Sequence, residues 1–486
     1  MHTEIRNTEP KNLWNHFSDI NAIPRASKKE EQIVAFMVEF GKKHGLETIV
    51  DPIQNVIIKK PASSGMENRK TVVLQSHLDM VHQKNDATDF DFATQGIEME
   101  IKEGWIQAKG TTLGADNGIG VAAIMSILAS NDIQHPPIEA LFTIDEETGM
   151  TGAMELQPNM LTGDILLNLD TEDDDEISIG CAGGIDITAT KEYQEFEPPT
   201  ETFAYNISVY GLQGGHSGMD IHKGLGNANK IMNRILFGAY ENFNLSISKL
   251  KGGNLRNAIP RESNALVTVS KEFKAAFECE FIILKDLILK EFSVKEPSLQ
   301  IELIETELPK KIMDIQVQKD LIKSIYGAHN GVYTMNASIS ELVETSNNIA
   351  SINVANGQIK IACLTRSFSE SGKMDLANAL RSVFELGNFK VNLSGDYPGW
   401  EPNTETQILE VLTSQYKKLF NEEPRVMACH AGLECGILGT HYPKMEMISF
   451  GPTIRGAHSP EEKVNIQSTQ KFWKYLLEIL KEIPNK

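Results

Sequence analysis

Three short apolar runs each end in a histidine or a carboxylate, and this coincidence constrains the fold more than any other feature. Thr71–Gln75 leads into Ser76-His77-Leu78-Asp79, Ile138–Ile144 into Asp145-Glu146-Glu147, and Asp164–Leu169 into Asp170. Each run is short and β-prone, as a buried strand is. Helical patterns lie between them, so strands and helices alternate. In open α/β sheets, ligands bind at the carboxyl ends of strands. Adjacent carboxylates repel each other and resist burial. A metal ion would relieve that repulsion, with Glu147 binding it and Glu146 handling a proton. An acidic turn at a strand end is the alternative for this stretch alone.

Composition narrows the partners. The chain has 486 residues and a mass of 54.0 kDa, enough for more than one domain. Its 46 basic and 66 acidic residues give a net charge of -20, which argues against nucleic acid or an anionic membrane as partner. The polar stretch Met1–Lys11 has no apolar centre of the kind a signal peptide needs, and no apolar run approaches the length of a transmembrane helix. Five scattered cysteines, Cys181, Cys279, Cys363, Cys429 and Cys435, form no CxxC pair. They fit a reducing, cytoplasmic setting and leave histidine and carboxylate as the metal donors.

An apolar helix over Ile119–Ala129 follows the turn Gly114-Ala115-Asp116-Asn117-Gly118, placing Asp116 at or near its start. After Gly180–Gly184 the pattern changes. Strand-helix-strand-strand-helix-strand appears once clearly between Phe203 and Glu305, and a looser β-rich set follows to Ser394. The first pattern resumes after Gly395–Trp400. The chain therefore reads as α/β. A discontinuous domain, residues 1–184 and 397–486, has a mixed central β-sheet flanked by helices. An inserted α+β domain, residues 185–396, has two βαββαβ-like lobes.

His77 and Asp79 stand two apart, on one side of an extended chain, so the acid can orient the imidazole. Asp116 and Asp170 could each be a helix or turn cap, and His458 lies in a Gly/Pro-rich loop. With Glu147 they make two histidines and three carboxylates, an inventory that suits a two-zinc site with one bridging carboxylate.

The motifs SHLDMV (Ser76–Val81), GADNG (Gly114–Gly118), DEETG (Asp145–Gly149), LNLDTE (Leu167–Glu172), GGHSG (Gly214–Gly218) and GAHSPEE (Gly456–Glu462) resemble those of the co-catalytic zinc dipeptidases, a family with carnosinases, aminoacylases and carboxypeptidases of similar build. Their order and spacing match along nearly the whole chain. The resemblance implies a catalytic domain carrying two Zn2+ per subunit, with Co2+ or Mn2+ as possible substitutes. His77 and Asp170 would hold one metal, Glu147 and His458 the other, and Asp116 would bridge. Asp79 would orient His77 and Glu146 would be the general base. The peptide bond after the bridging aspartate is often cis in that family. The insert would be a lid and dimerisation domain. From it, His216 would polarise the reacting carbonyl, and Asn257 and Arg366 would hold substrate. Gly432, in HAGLECG, matches a substrate-contacting loop. The implied activity is hydrolysis of unblocked dipeptides, with Xaa-His (carnosine-like) substrates favoured, by a cytoplasmic homodimer. The alternatives are a tripeptidase, aminoacylase or desuccinylase, an inactive binding relative, or a thiol hydrolase using Cys429 and His430.

Overall fold

The computed structural model describes residues 3–486, so the first two residues of the polar stretch Met1–Lys11 lie outside the described residues. The three apolar runs are strands β1 (Val72–His77), β2 (Ile138–Thr143) and β3 (Ile165–Asn168), each buried along its whole length. Near-continuous apolar sequence is what a strand covered on both faces requires. β1 pairs in parallel with β2 and with β3, and β3 with Glu446–Ser449. The eight-stranded sheet runs Glu47–Val50, Val56–Lys60, β2, β1, β3, Glu446–Ser449, Glu176–Cys181, Arg425–Cys429. Pairings outside the central four include antiparallel ones, so the sheet is mixed. Parallel register aligns the strand ends. Gln75 stands opposite Asn168, His77 opposite Thr143, and Ser449 opposite Asn168.

Helices cover both faces. Helix α1 (Ala115–Ala129) packs against β1 and against Lys11–Ile20, and is buried from Asn117 to Leu128. On the other face Thr151–Glu155 and Glu434–His441 supply Ala153, Cys435 and Leu438 to a core shared with Val73, Leu141 and Leu166. A smaller sheet pairs Ile454–Arg455 with Lys463–Asn465, which makes the Gly456–Glu462 segment a hairpin loop.

The described chain divides into two compact units. One runs to Gly180 and resumes over Trp400–Ala428 and Leu433–Lys486; the other comprises Cys181–Gly399 with Cys429–Gly432. In the second unit the longer strands are β4 (Gly183–Glu192), β5 (Thr202–Tyr210), β6 (Ser246–Gly252), β7 (Ser263–Ser270), β8 (Gln300–Thr306), β9 (Val343–Ala355), β10 (Gln358–Ser367) and β11 (Lys390–Tyr397). Its helices are α2 (Ala228–Phe243), α3 (Lys274–Phe292), α4 (Ile315–Gly327) and α5 (Glu370–Leu386). These eight strands form one antiparallel sheet ordered β8-β5-β7-β6-β9-β10-β4-β11, with Gly331–Met335 paired to β9 as a ninth strand off that path. The clear lobe is β5-α2-β6-β7-α3-β8. The looser set is also a βαββαβ lobe, β4-α4-β9-β10-α5-β11, into which the whole first lobe is inserted after β4. In each lobe the fourth strand lies beside the first, then the third, then the second. The lobes join where β6 pairs with β9 at Leu250–Gly252.

Candidate metal centre

The strand ends, α1 and the hairpin loop bring five donors together in the first unit. His77 Nε2 lies 3.1 Å from Asp116 Oδ1 and 3.6 Å from Asp170 Oδ1. His458 Nε2 lies 3.2 Å from Asp116 Oδ2 and 2.9 Å from Glu147 Oε2. The donors of His77, Asp116 and Asp170 fall within 4.8 Å of one another, as do those of Asp116, Glu147 and His458. The carboxylate of Asp116 thus belongs to both groups, one oxygen facing each. Asp116 departs from helical geometry at the start of α1, and the Asp116–Asn117 peptide is cis. His458 adopts a left-handed φ of 64° in its loop.

Asp79 is fully buried, with Oδ1 3.3 Å from His77 Nδ1. It also accepts the Ser27 hydroxyl (2.8 Å) and the backbone N–H groups of Glu146 (3.0 Å) and Glu147 (3.3 Å). One carboxylate therefore orients the imidazole and fixes the turn that carries both following acids.

Charge in this cluster is out of balance. Burial works to lower the His77 imidazole, but Asp170, Asp116 and Asp79 overcome it and hold it well above its ordinary value. Asp116 and Glu147 raise His458 to about 11, an attraction that solvent weakens because the His458 side chain is 58% exposed. Burial, then the Asp116 and Glu147 charges, push Asp170 up to about 6 against the pull of His77. Burial and the Asp116 charge push Glu172 up to about 8. Burial holds the Glu146 carboxyl well above the usual range, with Asp170 and Glu147 adding to it. More negative charge is gathered here than two imidazoles can neutralise. Divalent cations at the two donor groups would supply the balance, and imidazole with carboxylate is the donor set zinc takes.

A third group of acids, Glu30, Asp79 and Asp145, is of another kind. Its oxygens are met by donors of the chain. Glu30 Oε1 accepts the backbone N–H of Lys28 (2.8 Å) and of Asp145 (3.1 Å). The Asp145 carboxylate accepts the hydroxyls of Thr148 and Thr151. Asp145, without a role in the sequence reading, braces the turn.

Beneath the donors lies a polar row that the sequence reading missed. Gln75, Thr143, Asn168, Glu434 and Ser449 have no solvent exposure. Glu434 Oε2 accepts from Gln75 Nε2 (2.6 Å) and Thr143 Oγ1 (2.7 Å). Gln75 Oε1 accepts from Asn168, Asn168 Oδ1 from Ser449, and the Ser449 hydroxyl meets that of Thr171 at 2.8 Å. Burial pushes Glu434 up to about 7. The available signal was Gln75 and Asn168 inside apolar strands, two residues before His77 and Asp170.

In the second unit His216, Asn257 and Arg366 gather around Ser217. Ser217 N–H donates to the Asn257 carbonyl (2.8 Å), and Arg366 Nε lies 3.4 Å from the Ser217 hydroxyl. Arg366, only 4% exposed, also donates to Tyr397 Oη at 2.7 Å. His216 Nδ1 accepts the N–H groups of Gly218 (3.2 Å) and Met219 (3.0 Å), which leaves the proton on Nε2. Gly432 is half-buried, two residues beyond His430. His430 Nε2 pairs with the Ser346 hydroxyl at 2.8 Å.

Comparison with known proteins points one way. The model for peptidase family M20/M25/M40 matches residues 73–482. The sequence is 40% identical over 484 residues to the cytosol non-specific dipeptidase of Escherichia coli (strain K12), covering 100% of both chains. The crystal structure of aminoacylhistidine dipeptidase from Vibrio alginolyticus matches with a TM-score of 0.92 and 42% identity, over 100% of this chain and 99% of that one. Aminopeptidase PepT from Bacillus cereus matches in fold alone, with a TM-score of 0.57 and 16% identity over 98% of this chain and 99% of that one.

Proposed function

The chain belongs to peptidase family M20/M25/M40, and from that membership we propose a two-zinc dipeptidase that cleaves unblocked dipeptides and favours Xaa-His substrates. The observation that carries this reading is the Asp116 carboxylate, with one oxygen toward His77 and the other toward His458. The fully covered relatives carry dipeptidase names, one of them for aminoacylhistidine. The first is named a cytosol enzyme, and no helix among the described residues is long and apolar enough to cross a membrane. We assign this chain to the same compartment.

Two zinc ions, bridged by Asp116 and held by His77 with Asp170 and by Glu147 with His458, would polarise the scissile carbonyl and acidify a water. Glu146 takes the proton of the attacking water and passes it to the leaving amine. Asp79 holds His77 through Nδ1, fixing its tautomer and its lone pair. His216 donates its Nε2 proton to the developing oxyanion. Arg366 clamps the free carboxylate of the dipeptide, and Asn257 and Gly432 contact its backbone.

The second unit also suits a homodimer. Ala276, Cys279, Ile283 and Leu287 form an exposed stripe at helical spacing on α3. A contiguous exposed apolar patch marks an interaction surface.

Chelation should abolish dipeptide hydrolysis and zinc should restore it. Glu146→Gln should keep both metals while kcat falls by about 100- to 10,000-fold. Metal loss in that variant would make Glu146 a ligand. Faster turnover of N-acyl amino acids than of free dipeptides would overturn the substrate assignment.

A further inference from the structure

Two buried charged side chains in the first unit take opposite ends of one residue. Glu462, four residues after His458, is 2% exposed. Its Oε2 accepts the backbone N–H of Leu113 (2.7 Å) and Gly114 (2.9 Å), and its Oε1 those of Ala115 (2.7 Å) and Asp116 (3.2 Å). Arg25, also 2% exposed, approaches from the other end. Its Nη2 donates to the Gly114 carbonyl (2.6 Å) and to Asn21 Oδ1 (2.9 Å), and its Nη1 to the carbonyls of Leu78 (3.1 Å) and Asp79 (3.2 Å). Gly114 has a φ of +69°, and a Cβ on it would come within 2.4 Å of Arg25 Nη2. Only glycine meets both demands.

Three segments bearing donors of the metal centre therefore meet at these two side chains: Leu78-Asp79 after His77, Leu113–Asp116, and the loop from His458 to Glu462. They come from three distant parts of the sequence. A serine or aspartate cap satisfies a helix N-terminus at modest cost, whereas burying an arginine and a glutamate strips water from two charged groups. Donor placement is a reason to accept that cost, because metal sites need their ligands held to within about 0.5 Å. We infer that Arg25 and Glu462 are positioning residues of the metal centre, setting the separation of Asp116 from His77 and from His458. The inference rests on the two-metal reading of the proposed function.

Zinc titration of the metal-free full-length chain against a chromophoric chelator tests it, with thermal melting of the metal-free proteins alongside. Glu462→Gln keeps size and shape but turns one oxygen into a donor, so two of the four N–H groups lose their acceptor. The parent should bind two zinc ions. The variant should lose about 10- to 100-fold in affinity for at least one of them, the range for groups that orient metal ligands. At saturating zinc its KM should match the parent's, since neither residue touches substrate. A parent that binds fewer than two ions overturns the two-metal reading and this inference with it. A parent that binds two beside a variant with an unchanged isotherm and a lowered melting temperature overturns the inference alone. Should Glu462→Gln fail to fold, Arg25→Lys decides by the same isotherm, since an ammonium cannot span the carbonyls of Leu78, Asp79 and Gly114.

Discussion

Asp145 takes the left-handed conformation at φ 53° while its carboxylate receives two threonine hydroxyls. Aspartate and asparagine visit that region more readily than other L-residues, for which it costs about 1–2 kcal/mol. Asp145→Ala should therefore lower unfolding free energy by about 2 kcal/mol, joining that strain to the loss of the two hydroxyl hydrogen bonds. Asp145→Asn should lose less than half as much in the same denaturant titration; equal losses would remove the bracing role. His430 supports a pH prediction. Burial, helped by Arg366, lowers its imidazole to about 3, below the unfolded value of about 6.5. The folded state keeps it neutral while the unfolded chain takes up a proton. Its contribution is thus complete above about 6.5 and is lost as pH falls toward 3, by up to about 1.4 kcal/mol per pH unit. His430→Asn should show a shallower fall in unfolding free energy than the parent between pH 6 and about 4.5. Parallel curves would mean that His430 is charged in the fold. Residues that could donate to a metal were visible in the sequence because they end strands or sit in glycine turns. Arg25, Glu434 and Glu462 were not, because a charged residue marks itself as buried only once its distant partners are placed.

At the scale of elements, parallel register turns Gln75, Asn168 and Ser449 into one row under the donors. The row ties three neighbouring strands at the level from which His77 and Asp170 emerge. Gln75→Leu should cost about 1–3 kcal/mol, because the Asn168 amide loses its acceptor while the Glu434 carboxylate keeps only the Thr143 hydroxyl. Equilibrium unfolding measures it, and a variant as stable as the parent would show that the row is dispensable. The elements themselves were read unevenly. β1, β2 and β3 were legible because burial on both faces leaves unbroken apolar runs. The second βαββαβ lobe was blurred because its first strand, β4, stands before the inserted lobe. Lys28–His44 reads as one helix, yet the helix spans Glu31–Lys43, and Lys28 takes a φ of 66° instead.

For the whole molecule, the α3 stripe predicts assembly. Ile283→Lys with Leu287→Lys should convert a dimer to monomers in sedimentation without unfolding the chain, since both side chains are already exposed, at 50% and 55%. An unchanged sedimentation coefficient would place the interface elsewhere. One feature of the central sheet bears on how the protein is made. Glu446–Ser449 lies between β3 and Glu176–Cys181, so a strand translated late fills the middle of a sheet begun early, and His458 follows it. A nascent chain on the ribosome carries an open slot and an incomplete donor set until the segment from Glu446 to His458 emerges. The proposed peptidase would stay silent until then, and a product terminated before Glu446 would lack both the strand that fills its sheet and one metal donor.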